Sequence, residues 1–222
     1  MKTKAILFDL DNTMLDFMGM KREASRKAAE AMIKAGLEGE AEELSRKLFD
    51  FYLEYGIESD DAFEKYLVRE FGEAHPRILA AAINAYLKEK YLHLKPYPGV
   101  PETLRELKDR GYKLGLVSDG LRLKAWMRLN ETKLDKYFDV VVTHEDTGKM
   151  KPNPEPFTKA CKKLNVKPEE CLFIGDWPER DIEGAKAVGM KTCLAKYGKK
   201  EETKKTDYFI GSIKEIMNII KK

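Results

Sequence analysis

Four short clusters of acidic, basic and hydroxyl residues stand out for the chemistry they could do. The first is Asp9-Leu10-Asp11-Asn12-Thr13. In extended backbone, residues i and i+2 point to the same side, so Asp9 and Asp11 could flank one reacting centre. The second is Ser118-Asp119-Gly120, whose hydroxyl and turn amides suit an anionic oxygen. The third is Lys151-Pro152, a cation beside a predicted helix N-terminus. The fourth runs from Gly175-Asp176 to Asp181 and sets two carboxylates five residues apart. Asp and Gly are also ordinary turn residues, which would account for any one cluster. Four such clusters, each at the end of a predicted strand, are not explained as turns.

These residues need elements to position them. Lys4 to Leu10 reads as a short buried strand, because Ile6, Leu7 and Phe8 follow one another without a polar break. From about Met20 to Leu92, Ala, Leu, Glu and Lys dominate, and apolar residues recur at helical spacing. This predicts about four helices, broken near Gly36 to Gly39, Gly56 to Asp60 and Gly72 to Pro76. Ser59 is the predicted N-cap of the third. Pro96, Pro98, Gly99 and Pro101 mark a boundary. Beyond it, strands at Lys113–Val117, Phe138–Thr143, Cys171–Ile174, Lys191–Ala195 and Tyr208–Ile210 alternate with helices. The helices are expected at Val100–Arg110, Leu121–Leu129, from Asn153-Pro154 to Leu164, up to Val188, and after Ser212. Such alternation predicts an α/β fold with a Rossmann-like, doubly wound parallel sheet. Ligands of such sheets bind at the carboxyl ends of the strands, where the four clusters fall. The expected organisation is an α/β core of residues 1–16 and 96–222, with an all-helical insert over 17–95.

Composition sets limits. The 222 residues hold 41 Lys plus Arg against 38 Asp plus Glu, a net charge of +3. That balance predicts no nucleic-acid or anionic-membrane surface. Cys161, Cys171 and Cys193 are odd in number and form no C-x-x-C pair, so they read as core residues of a reducing compartment. The apolar run from Ala5 to Phe8 is too short for a signal or membrane segment. A cytoplasmic monomer is the expectation. The run 199–205 reads as a solvated loop.

The four clusters, in this order and spacing, resemble the motifs of the haloacid dehalogenase superfamily. Asp9-x-Asp11-x-Thr13 matches its first motif, Ser118 its second, Lys151 its third, and Gly175-Asp176…Asp181 its fourth. The helical insert resembles that superfamily's C1-type cap, which implies a cover that excludes water and selects the leaving group. By this resemblance, Asp9 is a nucleophile that forms an aspartyl phosphate. Asp11 protonates the leaving oxygen and then deprotonates the attacking water. The resemblance implies Mg²⁺, held by the Asp9 side chain, the Asp11 backbone carbonyl and Asp176. It also implies that Lys151 neutralises Asp9 and the transferring group. Ser118 and the Asp119 and Gly120 amides bind phosphate oxygens. Thr13 fixes the loop, and Asp181 supports Lys151 or the metal's water shell.

Dehalogenases of this superfamily lack the second Asp, because a halide leaves unprotonated. Asp11 therefore favours a phosphatase acting on a small phosphorylated substrate. A phosphomutase on the same site and a non-catalytic phosphate-binding protein are the alternatives. The chain departs from the family pattern at Asp119, where many members have Asn, and at the bulky Trp177-Pro178. Lys149 lies near enough to compete for the role of Lys151.

Overall fold

The computed structural model of the protein describes residues 2–198 and 205–220. The run Ala5–Phe8 forms β1, buried on both faces, as suits a central parallel strand. The helical stretch follows as α1 (Phe17–Lys34), α2 (Ala41–Tyr55), α3 (Ala62–Phe71) and α4 (Pro76–His93). Then come α5 (Val100–Asp109), β2 (Lys113–Val117), α6 (Arg122–Glu131), β3 (Val140–Val142), α7 (His144–Thr147) and α8 (Pro154–Leu164). The chain continues through β4 (Cys171–Gly175), α9 (Glu183–Ala187), β5 (Lys191–Ala195), β6 (Tyr208–Ile210) and α10 (Ile216–Ile219). All strand pairings are parallel, in the order β3-β2-β1-β4-β5-β6. The chain winds outward from β1 through β2 to β3, then returns to lay β4 on β1's other side. The winding therefore reverses between β1 and β4.

The chain divides into two units, Met1–Asp16 with Lys95–Lys222, and Phe17–Leu94. In the α/β unit, Leu7, Val117, Phe157, Ala160, Leu164 and Phe173 pack one face of the sheet against α8. The Phe157 and Phe173 rings meet edge to face with centroids 5.0 Å apart, a geometry that aromatic quadrupoles favour. Asn153 caps α8, its side chain accepting from the Glu155 amide at 3.0 Å, with Pro154 in the first turn. The three cysteines are buried, and the Cys161 and Cys171 sulfurs lie 3.6 Å apart as thiols.

The helical unit has its own core, in which Tyr52, Phe63, Tyr66 and Tyr86 join Met32, Leu48 and Phe51. Lys21 is buried there, its ammonium donating to the Tyr86 hydroxyl at 2.6 Å and lying 3.7 Å above the Tyr52 ring. The aromatic faces and the hydroxyl compensate for lost hydration.

Several boundaries differ from the expected ones. Ser59 does not cap α3. Asp61 occupies the position before the helix, and the Ser59 hydroxyl donates to the Asp61 carboxylate at 2.5 Å. Residues 144–147 make one helical turn; the Thr143 amide and hydroxyl both donate to Asp146 at 2.9 Å. The helix expected to run to Val188 is a wide π-type turn over Pro178–Ile182 followed by α9. Of the run 199–205, residues 199–204 lie outside the described residues.

Phe157→Ala should lower the stability of the α/β unit by about 3–5 kcal/mol, since it removes a fully buried ring from tight packing. Asn153→Ala should cost about 1 kcal/mol through loss of the cap. Denaturant melts followed at the two sites would check both.

Candidate active site

Strand register brings three of the clusters together. Phe8 pairs with Leu116 on β2 and with Ile174 on β4. The chain therefore leaves three adjacent strands at nearly one level, through Asp9, Ser118 and Asp176. The Asp9 amide donates to Ile174 O at 2.9 Å, which fixes where its side chain begins.

After Asp9 the chain coils into a tight loop. The Met14 and Leu15 amides both donate to Leu10 O, at 2.9 and 3.2 Å. Asn12 takes φ +60°, a left-handed conformation that Asn tolerates. Extended backbone thus ends at the strand, and the i, i+2 argument does not carry to Asp11. Its carboxylate turns instead to Arg128 on α6, whose Nη2 lies 3.1 Å away. Thr13 is buried; its hydroxyl donates to Asp176 at 3.2 Å and its carbonyl accepts from the Tyr197 hydroxyl at 2.9 Å. Thr13 therefore joins the chain ends that follow β1, β4 and β5.

Lys151 reaches into the centre from the turn before α8. It is 4% exposed, and its ammonium donates to Asp9 at 2.5 Å and to Asp181 at 2.7 Å. Lys149 is exposed. The Asp119 carboxylate accepts from the Lys151 amide at 2.8 Å and lies 3.5 Å from the Arg180 guanidinium. Arg180 in turn lies 4.0 Å from the Trp177 ring. Asp119 and Trp177 thus brace the turns that carry Lys151 and Asp181. The Ser118 hydroxyl accepts from the Gly120 amide at 3.1 Å, so this turn is closed on itself, with one of its expected anion donors used internally.

Two glycines allow the close approach. A Cβ on Gly175 would lie 2.4 Å from the Asp181 carboxyl carbon. One on Gly198 would lie 1.9 Å from the Asn12 carbonyl and 2.7 Å from Asp176 Cβ. Neither position accommodates a larger residue without moving the acidic loops.

Carboxylate oxygens of Asp9, Asp176 and Asp181 all lie within 4.8 Å of one another, and all three residues are buried. Burial raises the Asp9 pKa well above the usual carboxylate range, with Lys151 opposing the shift. Burial and the neighbouring Asp181 push Asp176 up to about 7. Burial disfavours the Lys151 ammonium, but the Asp181 and Asp9 carboxylates outweigh it and raise its pKa. Three buried carboxylates around one ammonium leave an excess of negative charge. An all-oxygen donor set with that excess fits a hard divalent cation such as Mg²⁺. The Asp11 carboxylate is not among the three, and Asp181, expected in a supporting role, is. A second group, Glu23, Glu89 and His93 on the helical unit, is half-exposed, and Arg26 already bonds Glu23 at 2.9 Å.

Sequence reasoning passed over Arg128, Tyr197 and Gly198. Arg128 carries a signal: it shares the buried face of α6 with Ala125 and Leu129. Tyr197 and Gly198 carry none, because only the path of the chain after β5 brings them to the first loop.

The sequence model of the haloacid dehalogenase-like hydrolases matches residues 3–189. This chain belongs to that family. Among haloacid dehalogenase-like relatives, glyceraldehyde 3-phosphate phosphatase of Methanopyrus kandleri is 38% identical over 98% of this chain and 97% of its own length. The protein of that name from Pyrococcus furiosus is 35% identical over 100% and 94%. A crystal structure described as a HAD phosphatase from Thermococcus onnurineus superposes with a TM-score of 0.73 at 28% identity, covering 99% of this chain and 98% of that one. A putative β-phosphoglucomutase from Thermotoga maritima gives 0.77 at 25% identity, covering 100% and 99%. No helix among the described residues is long and apolar enough to cross a membrane.

Lys151→Met should destabilise the metal-free protein by about 3–5 kcal/mol, because it leaves buried carboxylates without their cation. A divalent cation at 100 times its dissociation constant should stabilise the wild type by about 2.7 kcal/mol, read as a rise in melting temperature. Absence of any cation-dependent shift would count against the cluster as a metal site.

Proposed function

We propose that this protein is a Mg²⁺-dependent phosphatase that cleaves a small phosphorylated metabolite through an aspartyl phosphate on Asp9. The observation that carries this reading is the buried Asp9 carboxylate at a strand's end, held by Lys151 and flanked by Asp176 and Asp181. Relatives of nearly equal length bear the name glyceraldehyde 3-phosphate phosphatase, at 35–38% identity over almost the whole chain. A three-carbon aldehyde phosphate is therefore the substrate proposed. These relatives also favour hydrolysis over phosphoryl migration between sugar positions.

Each side chain then has a task. Lys151 holds Asp9 in place and offsets charge on the transferring phosphoryl group. The Ser118 turn binds phosphate oxygens. Asp9 attacks phosphorus, the bond to the substrate's ester oxygen breaks, and Asp11 gives that oxygen a proton. Asp11 then takes a proton from the water that attacks the same phosphorus, which frees inorganic phosphate and restores Asp9. The cation would be held by Asp9, Asp176 and the Asp11 carbonyl, with Asp181 close by; when bound, it neutralises phosphate charge beside these carboxylates. Thr13 steadies Asp176, and Asp119 steadies Lys151 through its backbone.

Phosphate release from glyceraldehyde 3-phosphate should require Mg²⁺ and stop on chelation. Asp9→Asn should abolish it, and Asp11→Asn should lower the rate by about 10²- to 10⁴-fold. Turnover that survives Asp9→Asn, or interconversion of sugar-phosphate isomers without phosphate release, would overturn the proposal.

A further inference from the structure

Arg128 is the one fully charged side chain on the buried face of α6. Ala125 and Leu129 share that face, and the Arg128 side chain is 5% exposed. A guanidinium does not shed its proton in a protein, so its charge must be met where it lies. Here its Nη2 stands 3.1 Å from Asp11 Oδ2. The backbone below it is pinned, since the Thr132 hydroxyl donates to Arg128 O at 2.7 Å. Asp11 sits in the coiled loop after β1, where Asn12 takes a left-handed turn and the carboxylate is 25% exposed.

A buried ion pair is a weak source of stability, because desolvation offsets much of its attraction. An apolar residue on this face of α6 would pack at least as well. What the pair does supply is direction. Asp9 is oriented by Lys151 and Asp176 by Thr13, each through a named contact. Arg128 makes the corresponding contact to Asp11 from α6, with Nη2 facing the carboxylate oxygen Oδ2.

We propose that Arg128 is the positioning residue of the acid–base carboxylate Asp11, and that its contact to Oδ2 fixes the direction from which Asp11 meets the bond being broken. This inference rests on the phosphatase reading of Asp11 given above. Arg128 does not touch substrate or exchange a proton. It sets where the proton leaves from, so its loss should be felt in proportion to how much the leaving oxygen needs that proton.

That dependence separates positioning from a general structural role. The ratio kcat/KM reports the steps up to departure of the leaving group, whatever the later fate of the phosphoenzyme. An alkyl ester such as glyceraldehyde 3-phosphate needs its oxygen protonated. The nitrophenolate of 4-nitrophenyl phosphate leaves with little help. Arg128→Met should lower kcat/KM for the alkyl ester by about 10²-fold, the scale expected of a misplaced catalytic group, and should lower it for the aryl ester by less than about threefold. The alkyl-ester loss should fall on kcat rather than KM. Arg128→Lys, which keeps a cation but not the planar fork, should recover part of it. In an Asp11→Asn background, Arg128→Met should cause no further loss, because the two act as one unit.

Equal losses on both esters, a loss confined to KM, or additive effects with Asp11→Asn would overturn the proposal. If Arg128→Met does not fold by circular dichroism, Arg128→Lys carries the same test with a smaller loss, again confined to the alkyl ester. A wild-type protein that cleaves neither ester with Mg²⁺ would instead remove the phosphatase reading, and the role of Arg128 with it.

Discussion

The ammonium of Lys151, buried between Asp9 and Asp181, is the contact on which the rest of the site depends. It joins three separate stretches of chain: the end of β1, the turn before α8 and the wide turn after β4. Removing an ammonium from water is costly, and here close carboxylates compensate for it. The surrounding structure is arranged to keep them close. Asn153 and Pro154 start α8 just after the lysine, and Asp119 holds its backbone amide. Gly175 lacks the side chain that would displace Asp181.

The same arrangement leaves a surplus of negative charge. Lys151 satisfies Asp9 and Asp181, while Asp176 is held by the neutral hydroxyl of Thr13. Burial therefore pushes Asp9 and Asp176 upward, toward the protonated form. A site in this condition is matched to ligands that bring positive charge with them, or that bring anion and cation together. A phosphate ester with its divalent cation is such a pair. The charge of this cluster and the proposed chemistry are thus two aspects of one arrangement.

Away from this centre, charge is handled differently. In the helical unit, the buried Lys21 rests on a tyrosine hydroxyl and an aromatic face. Exposed ion pairs such as Arg26 with Glu23 and Glu30 line the outer side of α1. Pairs of that kind contribute little, about 0–1 kcal/mol each. The aromatic core of α2, α3 and α4 holds this unit together, so its stability comes from apolar burial. The acidic site in the other unit depends on a few exact placements of charge.

Sequence by itself determined a good deal. Local residue pattern marked all six strands to within two residues at each end, and the switch to helical periodicity after the first strand marked a helical stretch. Motif order placed Asp9, Ser118 and Asp176 at strand ends, since these are local patterns with fixed spacing, whereas Lys151, also expected at a strand's end, stands past α7 in the turn before α8. Short capping and turn choices were less legible: Ser59 and Asp61 both make good N-caps, and two residues decide between them. What only tertiary structure decided is which groups meet across large separations. Lys151 rather than Lys149 reaches Asp9 because the turn before α8 points it inward. Asp119 is drawn to a backbone amide and an arginine, and Asp11 to Arg128. Tyr197 and Gly198 come to the first loop from nearly the other end of the chain. Spacing along a chain encodes the direction of a side chain only while the backbone stays regular. Past the end of β1 the backbone coils, and from there the partners are chosen by the register of the sheet.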